Sequence, residues 1–458
     1  MRTFDNNKNP DELVTKYEQC LLDGHSCYFD VDELEVISDF YLKKGCSKES
    51  TEVVDLGLKL HPNSSILLLK KAMLYLEIGE THHALHILDR LPEKDDTEAH
   101  LIRSECLLQL NRREEALRLM HQIMDEELFE KSDLALDIAG ILVQASEFKA
   151  AIGFIQEARV TDAKNLDLLF ELAYNFEQIG QPEDALDIYR QILDIDPYSS
   201  ETWFNLGQAH FNQKQYVEAI EAYDFALVVN PDDHLALLQK AHALFQNEQF
   251  TEAAEIYLEY GKATEMSSSV WVYVGEAYEK SDHIEQAMDC YRVAYEMDPK
   301  NVDALTGMGI CLMEKEQYRE SLIWFERSLR IDHQISELWV YVAEVFVNID
   351  MPEEAMLSYL RSLEIDPTQA DIHAAVGNLH FDAGQYEQAL LYYNKAELIS
   401  ADLPGLHLFY ALVYAKTGDS ELSMHHLTLA IALEPASQKI FDEIINEHPQ
   451  RVKKNPTS

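Results

Sequence analysis

Carboxylates and histidines hold most of the chemical potential of this 458-residue chain. Asp and Glu together number 82 against 37 Lys and Arg, for a formal net charge of −45 at pH 7. Paired acids serve as general acid and base when burial or a like charge drives their pKa values apart. A groove open to water supplies no such desolvation, so the many acid pairs here read as a solvated face. In the segment THHALH, His82 and His86 stand at i, i+4, with His83 one step aside. On a helix such a pair binds a divalent cation if a third ligand joins it. His425 and His426 make a second pair, too distant along the chain to converge on the first, so no metal is expected. Cys20, Cys27, Cys46, Cys106, Cys290 and Cys311 lack metal-type or framework spacing. They point to a reducing, cytoplasmic compartment, with Cys20 and Cys27 as ordinary small, half-buried thiols. The motifs GxGxxG, HExxH, GxSxG and the Walker phosphate loop are all missing from the sequence. No catalytic residue and no cofactor is expected, and an enzymatic role is disfavoured.

Composition narrows the class further. A strongly negative field repels phosphate backbones and anionic lipid surfaces, so neither nucleic acid nor membrane is an expected partner. Apolar residues at 47 % and aromatics at 10 % argue against wholesale disorder. Only 16 Gly and 13 Pro point to long regular elements with few turns. No apolar run reaches membrane-spanning length, and the start MRTFDNNKNPDEL has no signal-peptide core.

The elements that carry these side chains repeat. Pro197, Pro231, Pro299, Pro367 and Pro435 are separated by multiples of 34 residues, and Trp203, Trp271 and Trp339 fall on the same lattice. So do Ala219, Ala253, Ala287, Ala355 and Ala389, and a large aromatic series running Tyr189, Tyr223, Tyr257, Tyr291, Phe325, Tyr359, Tyr393. Within 200–233, Trp203, Leu206, Gly207 and His210 mark one face of a first helix, and Ala219, Tyr223 and Ala226 the inner stripe of a second. A polar turn, Asn212 to Gln215, joins them. Pro231 ends the second helix, while Pro182 and Pro352 fall in a first helical turn, where a missing N–H costs nothing.

Trp203, Leu206, Gly207, Ala219, Tyr223, Ala226 and Pro231, echoed by Trp271, Gly275, Ala287, Tyr291 and Pro299, resemble the packing signature of the tetratricopeptide repeat (TPR). The frame extends to twelve repeats starting near 31, 65, 97, 132, 166, 200, 234, 268, 302, 336, 370 and 404. The first three are looser, with Trp lacking and Ser50 in place of the usual Ala. The resemblance implies an all-α fold, a right-handed α-solenoid superhelix of stacked helix-turn-helix units. Residues 1–30 are expected to form a polar arm and capping helix (Leu13, Val14, Tyr17, Leu21), and 31–437 the array. Residues 438–458 are expected to form a second cap (Ile440, Phe441, Ile444, Ile445) and a polar tail. Solenoid ends need such half-solvated caps.

By the same resemblance the first helix of each repeat lines a concave groove with its positions 2, 5, 9 and 12. Eight of the twelve residues at position 2 are acidic, Asp167 and Glu201 among them, and no Lys or Arg occupies any of these positions. Acids in a first helical turn also complement the helix dipole by a few tenths to about 1 kcal/mol each. The middle repeats add Phe170 and Tyr174, then Phe204, Gln208 and Phe211, then Leu238, His242 and Phe245, followed by Val272, Glu276 and Glu279. Such a face suits a protein segment with apolar anchors and basic flanks. The expected function is a protein-interaction scaffold or adaptor, with an assembly chaperone shielding a basic subunit as the alternative. A carboxylate-binding chaperone dock is disfavoured, because its basic clamp residues are missing.

Overall fold

The computed structural model describes residues 10–23, 28–91, 96–127 and 130–447, and among these every regular element is a helix. The chain divides into two compact units, Met1–Gln215 and Tyr216–Ser458, so the boundary falls between the two helices of the 200–233 repeat.

The first unit opens with α1 (Pro10–Asp23) and continues with α2 (Val31–Lys43), α3 (Ser47–Leu60), α4 (Ser65–Glu77) and α5 (Thr81–Leu88). Then come α6 (Thr97–Gln109), α7 (Arg113–Glu126), α8 (Lys131–Gln144) and α9 (Phe148–Arg159). It closes with α10 (Leu166–Gln178), α11 (Pro182–Ile195) and α12 (Ser200–Asn212). Helices pair as hairpins, α2 with α3 through α10 with α11, and each second helix also packs on the next first helix. First helices additionally touch one another, α2 on α4 and so on to α8 on α10. Leu13, Val14 and Tyr17 of α1 are buried with Phe29, Leu34 and Ile37, whereas Leu21, expected on the same stripe, is exposed.

The second unit holds α13 (Tyr216–Val229), α14 (His234–Gln246), α15 (Phe250–Ala263), α16 (Ser268–Lys280) and α17 (Ile284–Met297). It continues with α18 (Val302–Glu314), α19 (Tyr318–Ile331), α20 (Ser336–Asn348), α21 (Pro352–Ile365) and α22 (Ala370–Asp382). The last helices are α23 (Tyr386–Ile399), α24 (Leu406–Thr417), α25 (Ser420–Leu433) and α26 (Ser437–Glu447). The same hairpin and neighbour packing recurs, and Phe441, Ile444 and Ile445 of α26 rest on Leu408, Leu412 and Leu427. The basic tail residues Arg451, Lys453 and Lys454 lie outside the described residues. Each unit is thus an α-solenoid in which a repeat meets only its neighbours.

Local chemistry explains the boundaries. First helices start on side-chain caps: Ser64, Asn165, Ser199, Asp233, Ser267 and Asn301 each accept from a backbone N–H in the first turn. They end in a left-handed residue, with positive φ recurring at 146, 180, 214, 248, 282, 316, 350, 384 and 418. Lys214 N–H donates to Phe211 O and Gln215 N–H to His210 O, which consumes carbonyls that the helix end leaves open. Glycine holds this conformation at Gly180 and Gly384 without strain; Ser146, Lys214, Glu248, Asp282, Glu316 and Asp350 hold it against a steric cost.

The core is the large aromatic of each second helix laid against small residues. Tyr223, Tyr291, Phe325 and Tyr393 are fully buried, as are Ala219, Ala226 and Ala287. A Cβ added to Gly275 would stand 2.8 Å from Tyr291, and one on Gly307 of the next repeat within 2.5 Å of its Cε1 and Cε2. The ring is therefore clamped between two bare backbones. Elsewhere the position of Gly307 carries an aromatic that stacks instead: Tyr341 on Phe325 at 5.5 Å and Phe409 on Tyr393 at 5.5 Å. Trp203 and Trp339 donate their indole N–H to the preceding loop, at Pro197 O and His333 O. Trp271 packs between the Tyr257 and Tyr291 clusters. In the looser first repeat the two small positions are Ser38 and Ser50, both buried, whose hydroxyls bond each other at 2.7 Å.

Candidate functional site

In the first unit the candidate residues ride on α10 and α12. Asp167 and Glu201 are exposed in the first turns, where carboxylates also offset the positive end of the helix dipole. Tyr174 is 42 % exposed, and Phe170, Phe204, Gln208 and Phe211 are half-buried. Gln208 donates to Asn212 Oδ1 at 3.2 Å, one turn on. Glu177, at position 12 of its repeat, accepts from Tyr189 Oη at 3.2 Å.

In the second unit the candidates come from α14 and α16. Leu238 and Phe245 pack against the cluster around Tyr257, with the Phe245 ring 5.2 Å from Phe250. His242 Nδ1 lies 2.7 Å from Tyr257 Oη, and burial pulls its pKa down. Glu279 accepts from Tyr291 Oη at 2.8 Å. Asn378 does the same for Tyr393 at 2.8 Å. Polar side chains at positions 9 and 12 of the first helix are thus hydrogen-bond partners for the phenol of their own repeat. Val272 and Ala374, expected on the groove face, are instead buried in the core, Val272 in the cluster with Leu305 and Met308 of α18 and Ala374 in that with Leu406 and Tyr410 of α24.

Models of the tetratricopeptide repeat match residues 166–209, 200–233, 268–301 and 370–403, starting on the same frame as the sequence lattice. The chain is a tetratricopeptide repeat protein. Its TPR array is similar to part of anaphase-promoting complex subunit 3 of Schizosaccharomyces pombe, 21 % identical over 166 residues, which is 36 % of this chain and 25 % of that protein. It is also similar to the general transcriptional corepressor ssn6 of the same yeast, 29 % identical over 33 % of this chain and 14 % of that protein. A third relative is the BBSome complex member BBS4 of Bos taurus, 20 % identical over 38 % of this chain and 34 % of that protein. The matched stretch spans between 14 % and 34 % of the length of these relatives. Among solved structures, the anaphase-promoting complex hetero-tetramer Cut9–Hcn1 aligns with 87 % of this chain and 92 % of its own at 14 % identity and a TM-score of 0.41.

The TPR first-helix face departs from sequence expectation in its electrostatics. The acids are not simply solvated. Burial raises the pKa of Glu98, Glu105, Glu171, Glu177, Glu279 and Glu344. Glu276 goes furthest, to about 7, chiefly by burial and then by Asp303 and Glu279, with Lys280 partly opposing. Close contact between first helices and their rings withholds water from this face, which the open-groove expectation did not allow for. Position 6 was also overlooked. It supplies Lys70, which pairs with Asp39 of the preceding repeat, and the acids Asp137 and Glu171.

The remaining chemistry is scattered. His82 and His86 are exposed on α5, and His83 pairs with Glu80 at 2.9 Å. His426 lies against His407, Nδ1 to Nδ1 at 3.3 Å, with its ring stacked on those of Tyr410 and Tyr414. Among the described residues no group of three or more His, Cys, Asp or Glu is arranged to hold a metal ion. Cys20, expected as an ordinary thiol, is disulfide-bonded; Cys27 lies outside the described residues. Cys106, Cys290 and Cys311 are buried free thiols. No described helix is long and apolar enough to cross a membrane.

Proposed function

We propose that this TPR protein is a cytoplasmic interaction scaffold whose first-helix face binds an extended or helical segment of a protein partner. The observation that carries this reading is the pairing of an accessible ring with accessible acid on α10 and α12. Tyr174 is 42 % exposed beside half-buried Phe170, with exposed Asp167 in the same helix. On α12 the acid Glu201 is exposed in the same way, while Phe204, Gln208 and Phe211 are half-buried. In the second unit Leu238, His242 and Phe245 offer a shallower, more self-packed surface, with Glu276 and Glu279 as its acidic margin. The partner supplies apolar anchors for the rings and basic flanks for the acids. The names of the relatives, which are members of multi-subunit assemblies, agree with a role in holding proteins together.

The test is fluorescence anisotropy of the full chain with labelled peptides of equal apolar content and either basic or acidic flanks. Basic peptides are expected to bind, and to weaken as salt rises past about 0.15 M, where the screening length is about 8 Å. Equal binding of the acidic set, or a salt-insensitive complex, refutes the charge reading. The net charge of −45 also favours a second role, as a chaperone that shields a basic subunit before assembly. That role requires a long-lived stoichiometric complex with one newly made protein; rapid exchange among many partners contradicts it.

A further inference from the structure

The second unit contains a cavity of about 370 Å³ where the C-terminal ends of α18 and α20 meet α21. Met313 and Val347 give it apolar walls; Glu314, Glu344, Asn348 and Tyr359 bring oxygen atoms. Tyr359 is the large aromatic of its repeat and is 6 % exposed. Its counterparts Tyr189, Tyr291 and Tyr393 donate their hydroxyl to a side chain of the first helix, Glu177, Glu279 or Asn378, and Tyr257 shares a hydrogen bond with His242. The Tyr359 hydroxyl makes no hydrogen bond within the protein. At position 12, where Glu177 and Glu279 accept, its repeat has Val347; position 9, where His242 and Asn378 meet their phenols, is Glu344, whose carboxylate lies near Tyr359 without bonding it and is left, like the hydroxyl, facing the cavity. The ring of Tyr359 is buried in the core, while its hydroxyl opens on the cavity and is available to a group that enters it.

We propose that this cavity receives the guanidinium of an arginine side chain presented by a protein segment bound on the first-helix face of the second unit. The site is rich in acceptors: the carboxylates of Glu314 and Glu344, the Tyr359 phenol oxygen, and Asn348 Oδ1. The Asn348 amide is oriented by its own Nδ2, which donates to the Glu344 carbonyl at 2.8 Å. No Lys or Arg lines the cavity, and Lys315, next in sequence to Glu314, is turned to Glu285 at 2.8 Å. Glu344 is left as an uncompensated carboxylate whose proton affinity is raised by burial and by Asp371. A cation entering the cavity relieves that penalty. Arginine fits better than lysine for three reasons: its five donors match several acceptors set around a plane, it is more weakly hydrated, and its aliphatic stem lies along Met313 and Val347.

This inference rests on the reading of the array as a partner-binding surface, and its test separates the two. The full chain, labelled with ¹³C at the methionine methyls, is titrated with N-acetyl-argininamide and, separately, N-acetyl-lysinamide. The Met313 methyl signal, identified by its loss in Met313→Leu, is expected to shift saturably with the arginine compound and several-fold more weakly with the lysine one. Glu344→Gln and Tyr359→Phe are each expected to weaken binding about tenfold, the equivalent of one charge-assisted hydrogen bond. Tyr359→Phe keeps the packed ring, so it carries the test if Glu344→Gln loosens the repeat. An unmoved Met313 signal, or equal shifts in the variants and with both compounds, overturns the proposal. Peptide binding that survives in Tyr359→Phe/Glu344→Gln refutes the cavity as its anchor and leaves the α10 and α12 reading intact.

Discussion

Gly307→Ala adds one methyl group to an interior helix and should damage this protein more than most deletions of a side chain would. Tyr291 is fully buried, with the backbone of Gly275 on one side and that of Gly307 on the other. Its phenol is anchored to Glu279 at 2.8 Å. A Cβ on Gly307 falls within 2.5 Å of three ring carbons, so the ring or the helix must move. Overpacking of this kind costs about 1–3 kcal/mol. If the ring swings away it also strands a bond to a carboxylate, worth about 1.5–3 kcal/mol. The expected loss is about 2–4 kcal/mol. Gly153→Ala is the control, because it makes the same chemical change in α9 where nothing stands within 4 Å. There alanine should stabilise by about 0.5–1 kcal/mol, the usual gain over glycine inside a helix. Urea unfolding followed by helical circular dichroism gives the overall sign. Because repeats unfold with their neighbours, hydrogen exchange of the α16–α18 amides gives the local one. A Gly307→Ala protein as stable as wild type refutes the clamp.

Two further changes test separate parts of the argument. Glu248 holds positive φ at an exposed turn, so Glu248→Gly should stabilise by up to about 1 kcal/mol, and Gly180→Ala, at the equivalent turn with open space around it, should destabilise by about as much; equal stabilities in urea would contradict the strain argument. Glu276→Gln should be neutral below about pH 4.5 and stabilising above about pH 7, by on the order of 2 kcal/mol. The raised native pKa means that the folded state keeps a proton the unfolded chain releases, so wild-type stability falls as pH climbs between these values. A pH-independent difference between the two proteins would remove burial as the cause.

The repeat lattice was legible because its markers are fixed in type. Proline can stand only at helix ends, and Ala219 or Tyr223 must keep its size to fit the facing helix. Cap residues such as Asn165 and Ser199 are legible for the same reason. Position 6 is different: it reads Lys70, Asp137, Glu171, Tyr273, Gly307, Tyr341 and Phe409 in different repeats, so no period marks it. Its role is set by the large aromatic of the preceding repeat, which only packing brings near. The burial of Glu276 is likewise a tertiary fact with no local signal. The phenol partners left a fainter trace, a polar residue standing 12 residues before the aromatic in Glu177 and Glu279, or 15 before it in His242 and Asn378. The left-handed turn was hidden where Lys214 or Glu316 replaces the glycine that would have announced it.

The central claim is that the α10 and α12 face holds a protein partner. Affinity capture from the native host lysate, with wild type beside Phe204→Glu/Phe211→Glu and elution by a salt gradient, tests it most directly. The expected result is a partner that leaves wild type early in the gradient and is lost from the variant, while helicity stays near wild type. The same proteins captured by both, or a variant that unfolds because the two rings are core, contradicts it.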